Sequence, residues 1–305
     1  MLKNIIKKVM IIIGMMLLML IIKSPISKAE TITFLNGDLT IVLDDQGTVT
    51  ISGKGEVYEG LFDTLAYDDS RITNMKKVVI ENGITSIGDY VFFGYDNLRQ
   101  ITIPSSVTSI GGSAFNGCSK LSEIIVEEAN IKYASENGIL FNKEKTEIAR
   151  FPAEKTDINY VIPSSVTSIG YMAFSDCKNL TQITIPSSVT SIGMSAFDGC
   201  SKLSEIIVEE ANIKYASENG ILFNKEKTEI ARFPAGKIDI NYVIPDSVTS
   251  IGYMAFSDCK NLIQITIPSS ITSIDSYAFN GCSSLKEITI PNGVTKIENG
   301  AFCNC

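Results

Sequence analysis

The sequence predicts an α/β solenoid: short parallel strands stacked coil upon coil, short helical turns between them, a right-handed winding, and β-hairpins inserted at two places. Three observations predict it. A 23-residue template recurs along the chain, as ITIPSSVTSIGGSAFNGCSKLSE at 101–123, ITIPSSVTSIGMSAFDGCSKLSE at 183–205 and ITIPSSITSIDSYAFNGCSSLKE at 265–287. Residues 101–182 return as 183–264 at a constant offset of 82 with six differences, Gly112/Met194, Asn116/Asp198, Glu154/Gly236, Thr156/Ile238, Ser164/Asp246 and Thr181/Ile263. Within that copy the stretch 117–153 returns at 199–235 without a change. A core in which every position meets unique neighbours does not survive such copying. A stack in which each coil meets only the next one does.

Residues 1–29 read as a signal peptide. Lys3, Lys7 and Lys8 form a basic start, Val9 to Ile22 is an apolar run of fourteen residues, and Ser27-Lys28-Ala29 offers small residues for cleavage before Glu30. Fourteen apolar residues fall short of the roughly 18–20 that span a bilayer, so no integral membrane span is expected after cleavage. Residues 30–77 read as a β-rich capping segment, in which LTIVL and TVTIS flank the turn Asp44-Asp45-Gln46-Gly47.

Residues 78–305 form the repeat array, with strands expected to begin near 78, 101, 124, 160, 183, 206, 242, 265 and 288 and to join one parallel sheet. In each unit the Leu121, Ile124, Val126 pattern ends in a period of two, which suits a strand buried on one face. Ala114, Phe115, Cys118 and Leu121 instead follow the spacing of a short helical turn. Gly111 gives the freedom for a chain reversal, and Pro104 closes the strand because it has no ladder donor. One strand and one helical piece in 20–29 residues is the leucine-rich-repeat pattern, and such parallel connections are expected to coil right-handed. The unit 124–159 is longer, 36 residues. Its Ile139–Phe141 and Glu147–Phe151 flank the polar 142–146, a hairpin signal that recurs 82 residues on.

The string IPSSVTSIGxxAFxxCxxLxxITIP resembles the BspA-type leucine-rich repeats of bacterial and protist surface proteins. YASENGILFNKEKTEIARFPAGK at 215–237 is similar to the longer irregular repeat common among them, and GTVTISGKGEV at 47–57 to the strand pair that precedes such arrays. The resemblance covers roughly residues 40–305. It implies a right-handed solenoid, a secreted or surface-attached protein, and a binding role of the adhesin kind. The family shares no catalytic residues. Tyr95 departs from the pattern, standing where the other units carry Cys.

Composition narrows the function classes. The chain has no His and no Trp, which removes Ser-His-Asp and Cys-His catalysis, His metal sites and the strongest stacking platform. Of 26 basic residues five lie in the leader, against none of the 34 acidic ones. The remainder is strongly acidic, which argues against nucleic acid or anionic lipid as partner. No cofactor and no metal is expected.

Five cysteines, Cys118, Cys177, Cys200, Cys259 and Cys282, share one repeat position with Cys305. A disulfide or metal framework and a stack of buried thiols both fit; the stack is favoured, because most pairs along it fail disulfide geometry. Cys303 falls off the pattern. The acidic pairs Glu127-Glu128, Glu209-Glu210 and Asp44-Asp45 invite a carboxylate-pair or calcium reading. Verbatim copying counts against it, since nothing sets one copy's acidity apart from the other's. Asn179-Leu180-Thr181 is a glycosylation sequon whose Leu180 is a core position.

The expected binding face is the outward side of the strands. One row holds Gln100, Glu123, Gln182, Glu205, Gln264 and Glu287; a second holds Thr102, Ile125, Thr184, Ile207, Thr266 and Thr289, with Ile125 and Ile207 as exposed apolar anchors. The expected function is binding of an extracellular protein or glycan from a secreted or surface location, bacterial by its leader. Two rival readings are a spacer or fragment of a larger surface protein and, more remotely, a polysaccharide-acting enzyme. The array ends partway through a coil at Cys305, for which the expectation is either a truncated gene product or end-to-end self-association.

Overall fold

The coils before residue 288 contribute to two strand ladders rather than one. The computed structural model describes residues 31–305, and the predicted leader lies outside them. The described chain forms two compact units, one of residues up to 118 with 124–132, the other of 119–123 with 133–305. Both are β-solenoids of stacked coils with little helix.

In the first unit a six-stranded sheet runs Ile32–Asn36, Leu39–Leu43, Thr48–Gly53, Lys77–Ile80, Gln100–Ile103 and Glu123–Val126. The first three strands are antiparallel. Thr48–Gly53 then pairs in parallel with Lys77–Ile80, so the meander passes its register directly to the coils. Asp44 shapes the turn between the second and third strands by accepting the N–H of Gln46 at 2.9 Å and of Thr48 at 2.7 Å. A second ladder of short strands, Gly55–Val57, Ile84–Ile87 and Ser109–Ile110, lies on the SIG segments. The one α-helix among the described residues, Leu61–Asp68, buries Leu61, Phe62 and Leu65.

In the second unit the SIG ladder is the more continuous one. It joins Glu147–Arg150 to Ser168–Ile169 and Ser191–Ile192, and again Glu229–Arg232 to Ser250–Ile251, Ser273–Ile274 and Lys296–Ile297. The predicted hairpins form, with Leu140 opposite Arg150 and Phe141 opposite Ile148. A third strand that the sequence pattern did not announce, Tyr133–Glu136, completes a meander, and Tyr215–Glu218 does so in the second copy.

Two expectations are corrected. The first is the single nine-stranded sheet. Asn159–Val161, Gln182–Ile185 and Glu205–Val208 form one three-stranded parallel sheet, and Asn241–Val243 with Gln264–Thr266 form another. Between them the hairpin intervenes: Ile206 N–H donates to Gly220 O at 2.9 Å and Val208 N–H to Ser217 Oγ at 2.9 Å. The strand expected at 288 reduces to a single bridge, Gln264 with Glu287.

The second correction concerns the helical turns of the AFxxC segments, which are hydrogen-bonded turns. The coils place left-handed residues four apart, Tyr90 and Gly94, Met172 and Asp176, Ser195 and Gly199, Met254 and Asp258, Tyr277 and Gly281. A right-handed helix cannot contain such residues in its run. Apolar spacing alone did not distinguish the two.

The repeated letters serve the stack. Phe151, Phe174 and Phe197 stack at 5.1 and 5.6 Å between centroids, and Phe233, Phe256, Phe279 and Phe302 at 5.1, 5.0 and 5.3 Å. Each such pair is worth about 0.5–1.5 kcal/mol beyond burial. In IPSSVTS the second serine donates to the coil before it, Ser188 Oγ to Val166 O at 2.6 Å and Ser270 Oγ to Val248 O at 2.7 Å. The threonine repeats the move, Thr272 Oγ1 to Thr249 O at 3.2 Å.

Candidate binding face

The outward rows exist, in segments. In the second unit Asn159, Gln182 and Glu205 stand in register, as do Val161, Thr184 and Ile207. Farther along, Asn241 faces Gln264 and Val243 faces Thr266. In the first unit Lys77 adjoins Gln100, and Val79 adjoins Thr102. Glu123 and Ile125 lie on the last strand of the first unit's sheet. Glu287 and Thr289 are exposed but outside any strand.

The apolar anchors are not where the sequence placed them. Ile125 and Ile207 are half-buried. For Ile207 the cause is the hairpin, which lies along Glu205–Val208. The exposed apolar residues of these strands are Val161, 66 % exposed, and Val243, 67 %, with Ile158 and Ile240 just before them. These four and Asn159 and Asn241 were missed. The strand starts expected at 160 and 242 already fix Asn159, Val161, Asn241 and Val243 in the two rows, but the expected rows leave those coils out.

The acidic pairs are turn caps. Glu209 Oε2 accepts Ser187 N–H at 2.8 Å, and in the first unit Glu127 Oε2 accepts Ser105 N–H at 2.7 Å. Two fully buried asparagines do similar work: Asn212 Nδ2 donates to Pro186 O and Val189 O at 2.8 and 2.9 Å, while its Oδ1 accepts from Lys214 N and Tyr215 N. Asn130 repeats the contacts to Pro104 and Val107 in the first unit. Asn179 of the sequon donates to Lys155 O at 3.3 Å, and Leu180 is buried.

The repeat cysteines are thiols in a polar niche within the core. Cys200 Sγ lies 3.0 Å from Phe174 O, Cys282 Sγ 3.1 Å from Phe256 O, and Cys118 Sγ 2.9 Å from Phe92 O, each donating to the coil before it. Cys305 takes the same place against Phe279 O at 3.1 Å. Burial above all, with the neighbouring thiol, pushes Cys177 and Cys259 well up, so both stay protonated at neutral pH.

The inserted coils carry a buried cation. Arg150 Nη1 donates to Met172 O at 2.8 Å and Nη2 to Ser175 O at 3.1 Å. Arg232 does the same to Met254 O and Ser257 O, and also to Phe197 O at 3.3 Å. Each inserted coil has two residues between its Ile and its Phe (Ile230 and Phe233) where the next coil has four (Ile251 and Phe256). The guanidinium supplies the donors that the shorter turn lacks. Lys237 lies 5.9 Å from the Phe233 ring centroid and pairs with Asp239 at 3.3 Å.

This is the geometry of a repeat protein with an exposed strand face. The BspA type leucine rich repeat region matches residues 69–160, 146–240 and 231–305, and the chain belongs to that family. Among solved structures it is similar to a leucine rich cell surface protein from Faecalibacterium prausnitzii, at 27 % identity over 92 % of this chain and 86 % of that one, TM-score 0.51. It is also similar to a leucine-rich repeat protein from Eubacterium ventriosum, at 23 % identity over 91 % and 95 %, TM-score 0.44. No curated protein matches. No helix among the described residues is long and apolar enough to cross a membrane.

Proposed function

We propose that this chain is an exported, surface-located binding protein that engages an extracellular protein or glycan through the outward side of its strands, without catalysis. The observation that supports the reading most is the pair of in-register rows, Asn159, Gln182, Glu205 beside Val161, Thr184, Ile207, which set amide, carboxylate and apolar groups at one strand spacing from each other. Regular spacing of this kind suits an extended partner, with the exposed valines as apolar contacts in a polar rim. The likeness to a cell surface protein supports the location. The acidic balance of the chain disfavours polyanions.

The test is capture from extracellular matrix proteins, cells and glycan arrays with the purified protein. A variant carrying Val161→Lys, Glu205→Lys, Val243→Lys and Gln264→Lys is then compared. It is expected to lose binding at least about tenfold while its melt is nearly unchanged, because apolar contacts and charge complementarity are removed from exposed positions. A variant that binds like the parent overturns the strand-face assignment.

A further inference from the structure

The shortened turn of the second inserted coil leaves a cleft. With two residues instead of four between Ile230 and Phe233, the coil is recessed between the Met194–Ser195 turn before it and the Tyr253–Met254 turn after it. The recess measures about 220 Å³, enough for one long side chain. Tyr215, Glu229, Arg232, Met194, Tyr253 and Met254 line it. We infer that this cleft receives a single cationic side chain, lysine or arginine, presented by a protein partner.

The charge of the lining decides the class of ligand. Glu229 lies over Gly252, where a Cβ would come 2.9 Å from its Oε1, so the glycine leaves room for the carboxylate. Burial, with nearby Asp275, raises the pKa of Glu229, a penalty on its charged form that a bound cation relieves. The one cation in the lining is already engaged: Arg232 is held by three carbonyl oxygens and lies within electrostatic reach of Asp198. Two tyrosines and two methionines, with smaller and apolar residues between them, are also in the wall. Tyrosine faces attract cations, and methionine adapts to a flexible alkyl stem. The Tyr215 hydroxyl is fixed by accepting Ile192 N–H at 3.1 Å, and Met254 Sδ accepts from Ser195 Oγ at 3.4 Å.

The comparison of copies points the same way. Of the six differences in 82 residues, one falls in the lining, where Met194 replaces Gly112, and a second lies behind it, where Asp198 replaces Asn116 within electrostatic reach of Arg232. The first gives the cleft a wall, Met194 being 60 % exposed, and the second sets a carboxylate against the Arg232 charge. The inference deepens the binding-protein reading but is independent of the strand face, and it is testable without a known partner.

The measurement is a titration of methionine-methyl NMR signals in the intact protein. The probes are Nα-acetyl-lysine methylamide, Nα-acetyl-arginine methylamide, the Nε-acetylated lysine analogue and methyl β-glucopyranoside. The cationic probes are expected to shift the Met194 and Met254 methyls saturably, and the acetylated analogue to leave them in place. Glu229→Gln is expected to weaken the response about tenfold, the scale of one lost charge pair. Met194→Gly, which restores the residue of the first copy, is expected to weaken it without affecting the melt. The inference fails if charged and acetylated probes act alike, if the glucoside alone shifts these methyls, if Glu229→Gln responds as the parent does, or if no probe shifts them up to its solubility limit. None of these outcomes bears on the strand-face variants.

Discussion

The 23-residue coil at 242–264 and the inserted coil before it reach the same core by different chemistry. The regular coil sends Phe256 into the ring stack by way of a four-residue turn with left-handed Met254, and its Cys259 Sγ lies 3.7 Å from Phe233 O. The inserted coil reaches the stack with Phe233 after a two-residue link and fills the remaining space with Arg232. It keeps the parallel strand Glu205–Val208 and adds a three-stranded meander, whose last strand, Glu229–Arg232, enters the SIG ladder. The Phe stack and the SIG ladder each start afresh at the inserted coil, Phe233 stacking on Phe256 and Glu229–Arg232 pairing with Ser250–Ile251, whereas the ITI sheet runs into the insert through Glu205–Val208 and ends there. An inserted coil therefore joins to the coil after it through the ring stack and the SIG ladder, and to the coil before it through the ITI strand Glu205–Val208.

The strongest test of that comparison removes the shared and the distinct element in turn. Phe256→Ala takes a ring from between Phe233 and Phe279 and is expected to destabilise the second unit by about 3–5 kcal/mol. Arg232→Met keeps the volume but leaves three buried carbonyl oxygens without their donor, and is expected to cost about 3 kcal/mol. Denaturant unfolding measures both. An Arg232→Met protein as stable as the parent would show that the meander alone holds the inserted coil.

A smaller, pH-dependent effect separates the two copies. Burial holds the Asp198 carboxyl above its ordinary range, with Arg232 opposing. A carboxyl whose folded pKa is raised binds protons more readily in the folded state, so it weakens stability above that pKa and ceases to do so as pH falls through the ordinary range. Asp198→Asn, the residue of the first copy, is expected to raise stability at about pH 7 and to lose that advantage toward about pH 3. Melts at the two pH values check the sign.

The smallest perturbation probes the thiol row. Cys303 and Cys305 are exposed, while Cys118, Cys177, Cys200, Cys259 and Cys282 are buried. A maleimide is expected to label the first two in the folded protein and all seven only after denaturation without reductant. Fewer than seven labels under those conditions would restore the disulfide reading.

The sequence by itself determined the stacking. Copying of 82 residues with six changes requires that neighbours be equivalent, and the recurrence of Phe, Cys and Leu at one interval names the residues that meet. It also marked the hairpins, because alternation around a polar 142–146 has few other solutions. Tertiary structure decided the rest, for three physical reasons. Apolar spacing of i, i+1, i+4 and i+7 reports which side chains are buried but not the sign of φ, so the turns read as helices until left-handed Met254 and Asp258 appear. Two-residue strands such as Ser250–Ile251 are too short to show a period, so the SIG ladder exists only through its pairing. Burial of Ile207 and exposure of Val161 and Val243 depend on where the hairpin lies across the sheet, as does the cleft beside Arg232. Those are contacts between coils, and no stretch of letters within one coil contains them.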